Sequence, residues 1–139
     1  MRIYLCYIGK PRDRHANAMA QEYLKRLGRY ARCEMNEIKP ERLDPWAKYP
    51  AAKKILLDPA GKTMDSAQFT DLISRAGREA RDLVFVIGGA EGLPPSWRPR
   101  ADLLLSLSPL TLPHELARVV LAEQLYRAFS ALRGHPYSK

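Results

Sequence analysis

The sequence is poor in the residue types that build covalent staples and metal centres. Its 139 residues include two cysteines, Cys6 and Cys33, and three histidines, His15, His114 and His135. The cysteines lie far apart and form no C-x-x-C pair, which speaks against a zinc knuckle or a thioredoxin-type redox site. No histidine is spaced with a second ligand type, so no metal is expected. No apolar run approaches the roughly 18 to 20 residues of a membrane span. The first such run, Ile3 to Ile8, is too short for a signal-peptide core and has no cleavage pattern after it. These absences predict a cytoplasmic protein with reduced thiols and no membrane partner. The nucleophile elbow G-x-S-x-G is missing, which removes the serine hydrolases of that type. Neither G-x-G-x-x-G nor G-K-[ST] occurs, so a dinucleotide fingerprint or P-loop is unsupported. A Cys/His hydrolase would need a cysteine that sits inside a predicted strand.

Acidic residues are also in short supply. Lysine and arginine number 23 against 15 aspartates and glutamates, a formal charge of +8. The excess is uneven: residues 1–64 carry 14 basic and 7 acidic side chains, residues 65–139 carry 9 and 8. Arg12, Arg14, Lys25, Arg26, Arg29, Arg32, Lys39, Arg42, Lys48, Lys53 and Lys54 make up most of the footprint. Taken singly each is an ordinary solvated side chain. Taken together they point to a polyanion, with nucleic-acid phosphate the first candidate.

With 46% hydrophobic and 27% charged residues, the chain is a folded single domain, residues 1–139, with enough length for a core of its own. Ile3 to Ile8 predicts a first strand. Asp13 caps a helix from Arg14 to about Tyr30, with Met19, Tyr23, Leu24, Leu27 and Tyr30 inward. Cys33 to Ile38 predicts a weaker strand, Lys39 to Pro50 a loop, and Lys54 to Asp58 a third strand stopped by Pro59-Ala60-Gly61. Asp65 or Ser66 caps a helix to about Ala80, with Phe69, Leu72, Ile73 and Ala76 inward. Leu83 to Ile87 is a continuous apolar run, the pattern of a parallel strand covered on both faces. Pro94 to Pro99 makes a turn around Trp97, and Leu103 to Leu107 a last strand. Thr111 caps a final helix with Pro113 in its first turn and Leu116, Val119, Val120, Leu125, Phe129 and Leu132 as its apolar face. Strands alternate with helices, so the class is α/β, a mainly parallel sheet with helices on both faces.

Ligands of open α/β sheets bind beyond the carboxyl ends of the strands. Three loops qualify: Pro59 to Lys62, Gly88 to Leu93, and Leu107 to Pro113. The glycine cluster allows a close backbone approach, although a tight strand-to-helix turn needs the same residues. The connector Leu107 to Pro113 alternates leucines with Ser108, Pro109 and Thr111. Its leucines can sandwich a flat apolar ring while backbone groups read the ring edge, or they can simply pack a buried loop. His135 and Tyr137 occupy a short tail past the last helix, where structure alone seldom needs either.

Four stretches then stand together: Ile87-Gly88-Gly89-Ala90-Glu91-Gly92-Leu93, Ser106 to His114, Ala122-Glu123-Gln124-Leu125-Tyr126-Arg127-Ala128, and His135-Pro136-Tyr137. In this order and spacing they resemble the RlmH family, large-subunit rRNA methyltransferases of the SPOUT class. Gly9-Lys10, Glu22 to Arg26, and Leu57-Asp58 through Gly61-Lys62 are similar too, so the resemblance spans nearly the whole chain. It implies a trefoil knot near the C-terminus, and an S-adenosylmethionine pocket contacted by Leu57, Gly89, Leu107, Ser108, Pro109, Leu110, Thr111 and Leu112. It also implies a homodimer with the C-terminal tail near the active site. The implied substrate is a pseudouridine of 23S rRNA, methylated at N3 on the assembled ribosome. Two departures from the family pattern are visible: residues 39–54 are shorter than usual, and the tail ends at Ser138-Lys139.

On that basis His135 is expected to act as base or base-positioner and Tyr137 to position or stack the acceptor. Arg127 is a candidate to stabilise an anionic ring, and Glu91 to touch the cofactor or tie its turn. The competing readings are a SPOUT methyltransferase of another rRNA or tRNA position, a non-catalytic ribosome-binding factor that kept the knot, and an unrelated nucleotide-using α/β enzyme.

Overall fold

The computed structural model describes residues 1–138. Five strands, Arg2–Ile8 (β1), Arg32–Ile38 (β2), Lys53–Thr63 (β3), Leu83–Ile87 (β4) and Leu103–Ser106 (β5), pair entirely in parallel in the order β2-β1-β4-β3-β5. The helices are Arg14–Leu27 (α1), Pro45–Lys48 (α2), Ser66–Arg78 (α3) and His114–Leu132 (α4), with 3-10 turns at Pro95–Arg100 and Pro136–Ser138. β4 lies at the centre of the sheet and is buried at all five positions. A continuous apolar run is what that place requires, since both faces are covered.

Side chains alternate across the strands, and the two faces are filled differently. Ile3, Leu5, Ile55, Leu83, Phe85 and Leu105 point into the larger core, against Leu24 and Leu27 of α1, Phe69 and Ile73 of α3, and Leu121 and Leu125 of α4. Cys6, Leu56, Val84 and Val86 face the other way, towards Trp97, Trp46 and Tyr49. That second layer is thin: α2 and the Pro95–Arg100 turn, whose tryptophan rings meet edge-on at 5.7 Å. Helices therefore cover both faces, but the three long ones share one of them.

The helix starts follow the side chains expected to make them. Asp13 accepts hydrogen bonds from the His15 and Ala16 amides. Asp65 and Gln68 form a reciprocal capping box on α3, at 2.7 and 2.9 Å, which satisfies two otherwise orphaned donors. Thr111 does not cap α4. Pro113 takes that position and no side chain caps the helix, so proline's fixed φ supplies the entry geometry instead.

Other differences have identifiable causes. α1 stops at Leu27, where the Gly28 amide closes the last turn on the Leu24 and Lys25 carbonyls. Met19 is 51% exposed, because α1 meets α4 through the small residues Ala16 and Ala20, packed on Val119. β3 does not stop at Asp58. Its pairing with β5 shifts register between Leu57 and Lys62 and resumes. Gly61 permits this, since a Cβ there would lie 2.6 Å from the Leu104 backbone. The stretch predicted as a loop holds α2, started by Asp44, which accepts from the Trp46 amide, and by Pro45. Leu116 and Leu132, expected inward on α4, are exposed. Lys54, counted with the basic surface, is buried and donates its Nζ hydrogen to the Tyr49 carbonyl.

Candidate functional site

A cleft of about 450 Å³ opens at the register shift of β3 and beyond the carboxyl ends of β4 and β5. Each wall comes from a different part of the sequence. The register shift in β3 gives Leu57, Asp58 and Pro59, the end of β4 and the turn after it give residues 87–93, and the 3-10 turn gives Pro95 and Arg98. The strand β5 and its connector add Leu105, Ser106, Leu107, Ser108, Leu110 and Leu112, and α4 adds His114 and Ala117.

Six of the eight expected cofactor positions thus line one cavity: Leu57, Gly89, Leu107, Ser108, Leu110 and Leu112. Pro109 and Thr111 belong to the same connector but are exposed and stand outside the lining. The connector is shaped by its own hydroxyls. Ser106 Oγ donates to the Ser108 carbonyl at 2.9 Å, and Ser108 Oγ accepts from the Leu110 amide at 2.9 Å. In the glycine turn, Gly92 has φ +81° and its amide donates to the Gly89 carbonyl at 3.0 Å. Gly89 is pressed against β1, and a Cβ there would lie 2.9 Å from the Ile8 carbonyl oxygen.

Two charged residues in the lining were not singled out from the sequence. Arg98 Nε and Asp58 Oδ2 form an ion pair at 2.7 Å at the rim. They are 40 positions apart, and only the topology joins them. The available signal was Asp58's place at the carboxyl end of a strand.

A second polar cluster braces the cleft from α4. Glu115 Oε1 accepts from the Arg12 and Asp13 amides at 2.6 and 2.9 Å and from Arg118 at 3.0 Å. Arg118 is buried, with its guanidinium 4.1 Å above the Tyr7 ring. The amides of Asp13 and Arg12, with Arg118 beside them, hold the Glu115 carboxyl below the usual carboxylate range. Charge-assisted contacts of this kind tie the β1–α1 loop to the start of α4.

His135 and Tyr137 are brought together, but away from this cleft. The His135 amide donates to the Ser130 carbonyl at 2.9 Å, and the Tyr137 amide donates to His135 Nδ1 at 3.2 Å. Tyr137 folds back on α4, its ring 4.6 Å from Tyr126 and its hydroxyl donating to Glu123 Oε2 at 2.8 Å. Burial, and then the Glu123 carboxylate, push the phenol above its ordinary value. Arg127 pairs with Glu123 through Nη2 at 2.8 Å and Nε at 3.1 Å. Burial drives the Cys6 and Cys33 thiols up to about 11 and about 12, so neither is a nucleophile near neutrality. Among the described residues no group of three or more His, Cys, Asp or Glu side chains is placed to hold a metal, and no helix is long and apolar enough to cross a membrane.

A parallel α/β sheet carries the cleft, walled by the connector into its last helix, and the class of the chain is that of the SPOUT methyltransferases. The family model described as a predicted SPOUT methyltransferase matches residues 1–138, and the chain belongs to that family. Solved structures share the fold. A methylase family protein of Neisseria gonorrhoeae superposes with a TM-score of 0.62 at 11% identity, covering 90% of this chain and 80% of that one. A methyltransferase of Legionella pneumophila, solved with its bound cofactor SAM, superposes at 0.57 and 15% identity, covering 92% and 66%.

Within the class the chain belongs to the family of ribosomal RNA large subunit methyltransferase H. It is 65% identical over 137 residues to the protein of that name from Solibacter usitatus, covering 99% of each chain. It is 41% identical over 141 residues to the one from Thermus thermophilus, covering 100% of this chain and 99% of that one.

Proposed function

We propose that the protein transfers a methyl group from S-adenosylmethionine to N3 of a pseudouridine in 23S rRNA, as a cytoplasmic homodimer acting on the assembled ribosome. The observation that carries this reading is the convergence of Leu57, Gly89 and the Leu107–Leu112 connector on one cleft. Its volume falls in the range of cofactor-sized sites. Leu57, Leu107 and Leu112 offer apolar walls to a purine, and the connector's backbone offers edge contacts. The family's trefoil knot belongs to the same reading.

The bound cofactor supplies an electrophilic methyl group. The chain must hold the acceptor nitrogen in line with it and deal with the N3 proton. His135 takes or steers that proton, and Tyr137 positions the base or stacks on it. The His135 amide is held level with Ser130, 13 residues beyond Ala117, the furthest cleft-lining residue along α4. That is about 20 Å along the helix axis, several times the reach of an imidazole. A tail that serves the reaction therefore comes from a second copy. Leu110 in the connector and Leu116 on α4, 77% and 45% exposed, provide apolar surface beside the cleft on which that copy packs. Arg12, Arg14, Lys25, Arg29 and Arg32 are exposed and bind rRNA phosphates.

The test is transfer of labelled methyl to assembled ribosomes lacking the modification, with isolated subunits and free rRNA in parallel. Label confined to assembled ribosomes and mapping to N3 of a large-subunit pseudouridine is the expected result. Label on another nucleotide or on tRNA refutes the target. Absence of both label and cofactor binding refutes the enzyme and favours a non-catalytic ribosome-binding factor.

A further inference from the structure

We propose that Arg98 and Asp58 form the subsite for the amino-acid end of the methyl donor, with the guanidinium taking its carboxylate and Asp58 its ammonium. The inference rests on the cofactor reading above and adds which end of the molecule lies where.

Both side chains line the cleft, and they reach it from separate elements. Asp58 is fixed at the β3 bulge, where its Oδ1 accepts from the Ala60 amide at 2.8 Å. Arg98 rides on the Pro95–Arg100 turn, which is anchored by the buried Trp97. The ion pair runs through Nε, one of the five donors of a guanidinium. Asp58 is largely covered, at 14% side-chain exposure, while Arg98 is 47% exposed towards the opening.

A neighbouring carboxylate and guanidinium are the complement of a zwitterion. Each neutralises the other in the open cleft, so neither waits as an unpaired charge. An amino acid adds one charge of each sign and closes a four-charge ring. A phosphate-bearing nucleotide would set its negative charge against Asp58, so the same pair selects against such ligands. The apolar connector then takes the nucleoside and the rim takes the amino acid. This division matches a donor that is apolar and aromatic at one end and zwitterionic at the other.

The experiment is calorimetric titration of the cofactor-free, full-length protein with S-adenosylhomocysteine and with 5′-methylthioadenosine, which has a similar thionucleoside but no amino-acid end. The wild-type protein is expected to bind S-adenosylhomocysteine about tenfold or more tightly than methylthioadenosine. Arg98→Ala and Asp58→Asn are each expected to remove most of that preference while leaving methylthioadenosine affinity within about twofold. Asparagine keeps the Ala60 contact, so a folding defect does not mimic the result. Equal weakening of both ligands, or of neither, overturns the subsite while leaving the cleft as the cofactor site. A wild-type protein that binds neither ligand refutes the cofactor reading itself.

Discussion

If His135 works in a cleft built by another copy, two defective subunits can repair one another. Let one variant be His135→Ala, which removes an exposed imidazole. Let the other be Gly89→Val, which drives a branched side chain into the 2.9 Å gap before the Ile8 carbonyl and spoils the cleft. Where Gly89→Val fails to fold by circular dichroism, Leu107→Glu in the connector takes its place. Each variant alone has two crippled sites per dimer. A heterodimer has one site carrying both defects and one carrying neither. Random exchange of equal amounts gives half heterodimers, so the mixture recovers about one quarter of wild-type turnover. The structural basis is the offset of about 20 Å between the His135 amide and the cleft of its own chain, set by the rise of α4. Turnover is read on ribosomes lacking the modification, after subunit exchange has been confirmed by mass. A mixture no more active than the mean of the two variants, with heterodimers demonstrably present, refutes the shared site.

Other expectations concern stability and binding. Leu121 is fully buried between α4 and the sheet, and Leu121→Ala is expected to cost about 3 kcal/mol in urea unfolding; a loss under about 1 kcal/mol would mean that the site collapses or is not core. Glu115 has a folded pKa below its unfolded one, so its contribution is present above the ordinary glutamate value of about 4.3 and is lost as pH falls through the folded value. Glu115→Gln should therefore flatten the acid side of the stability profile as pH falls below the ordinary glutamate value of about 4.3, and parallel curves for the two proteins would remove Glu115 from the account. Ribosome affinity should fall steeply with salt, and replacing Arg29 and Arg32 by glutamine should reduce the log–log slope by about 1.5. A slope unchanged by that double substitution would move the phosphate contacts elsewhere.

The sheet was legible because its strands differ in kind. Leu83–Ile87 has no polar position at all, which only a central strand tolerates, and the structure puts it there. Cys33–Ile38 alternates weakly, and it is an edge strand with most of its outer face exposed. Helix starts were legible at Asp13 and Asp65, where a side chain caps a long apolar-periodic run, but not at Asp44, whose helix is only four residues long. They were misread where backbone geometry makes them, as at Pro113. Apolar spacing overstated the inward role of Met19, Leu116 and Leu132. A helix face says which residues are apolar but not how near its neighbour comes, and opposite Val119 of α4 the seam is made by the small residues Ala16 and Ala20 rather than by Met19.

The cleft was legible through its glycines and its leucine-rich connector, because those residues answer local demands: a turn after β4, and apolar walls beyond β5. The Arg98–Asp58 pair answers no local demand. It exists because β3 lies between β4 and β5, so that the bulge in β3 meets the turn that leads into β5. His135 and Tyr137 pose the same problem at a larger scale. Their residue types suggested chemistry, yet Tyr137 is held by Glu123 and Tyr126 midway along its own helix, and His135 sits at the end of that helix away from the cleft. Motifs in one chain report which groups a reaction needs. They do not report whether the groups meet within that chain or across two, and here the length of α4 argues for two.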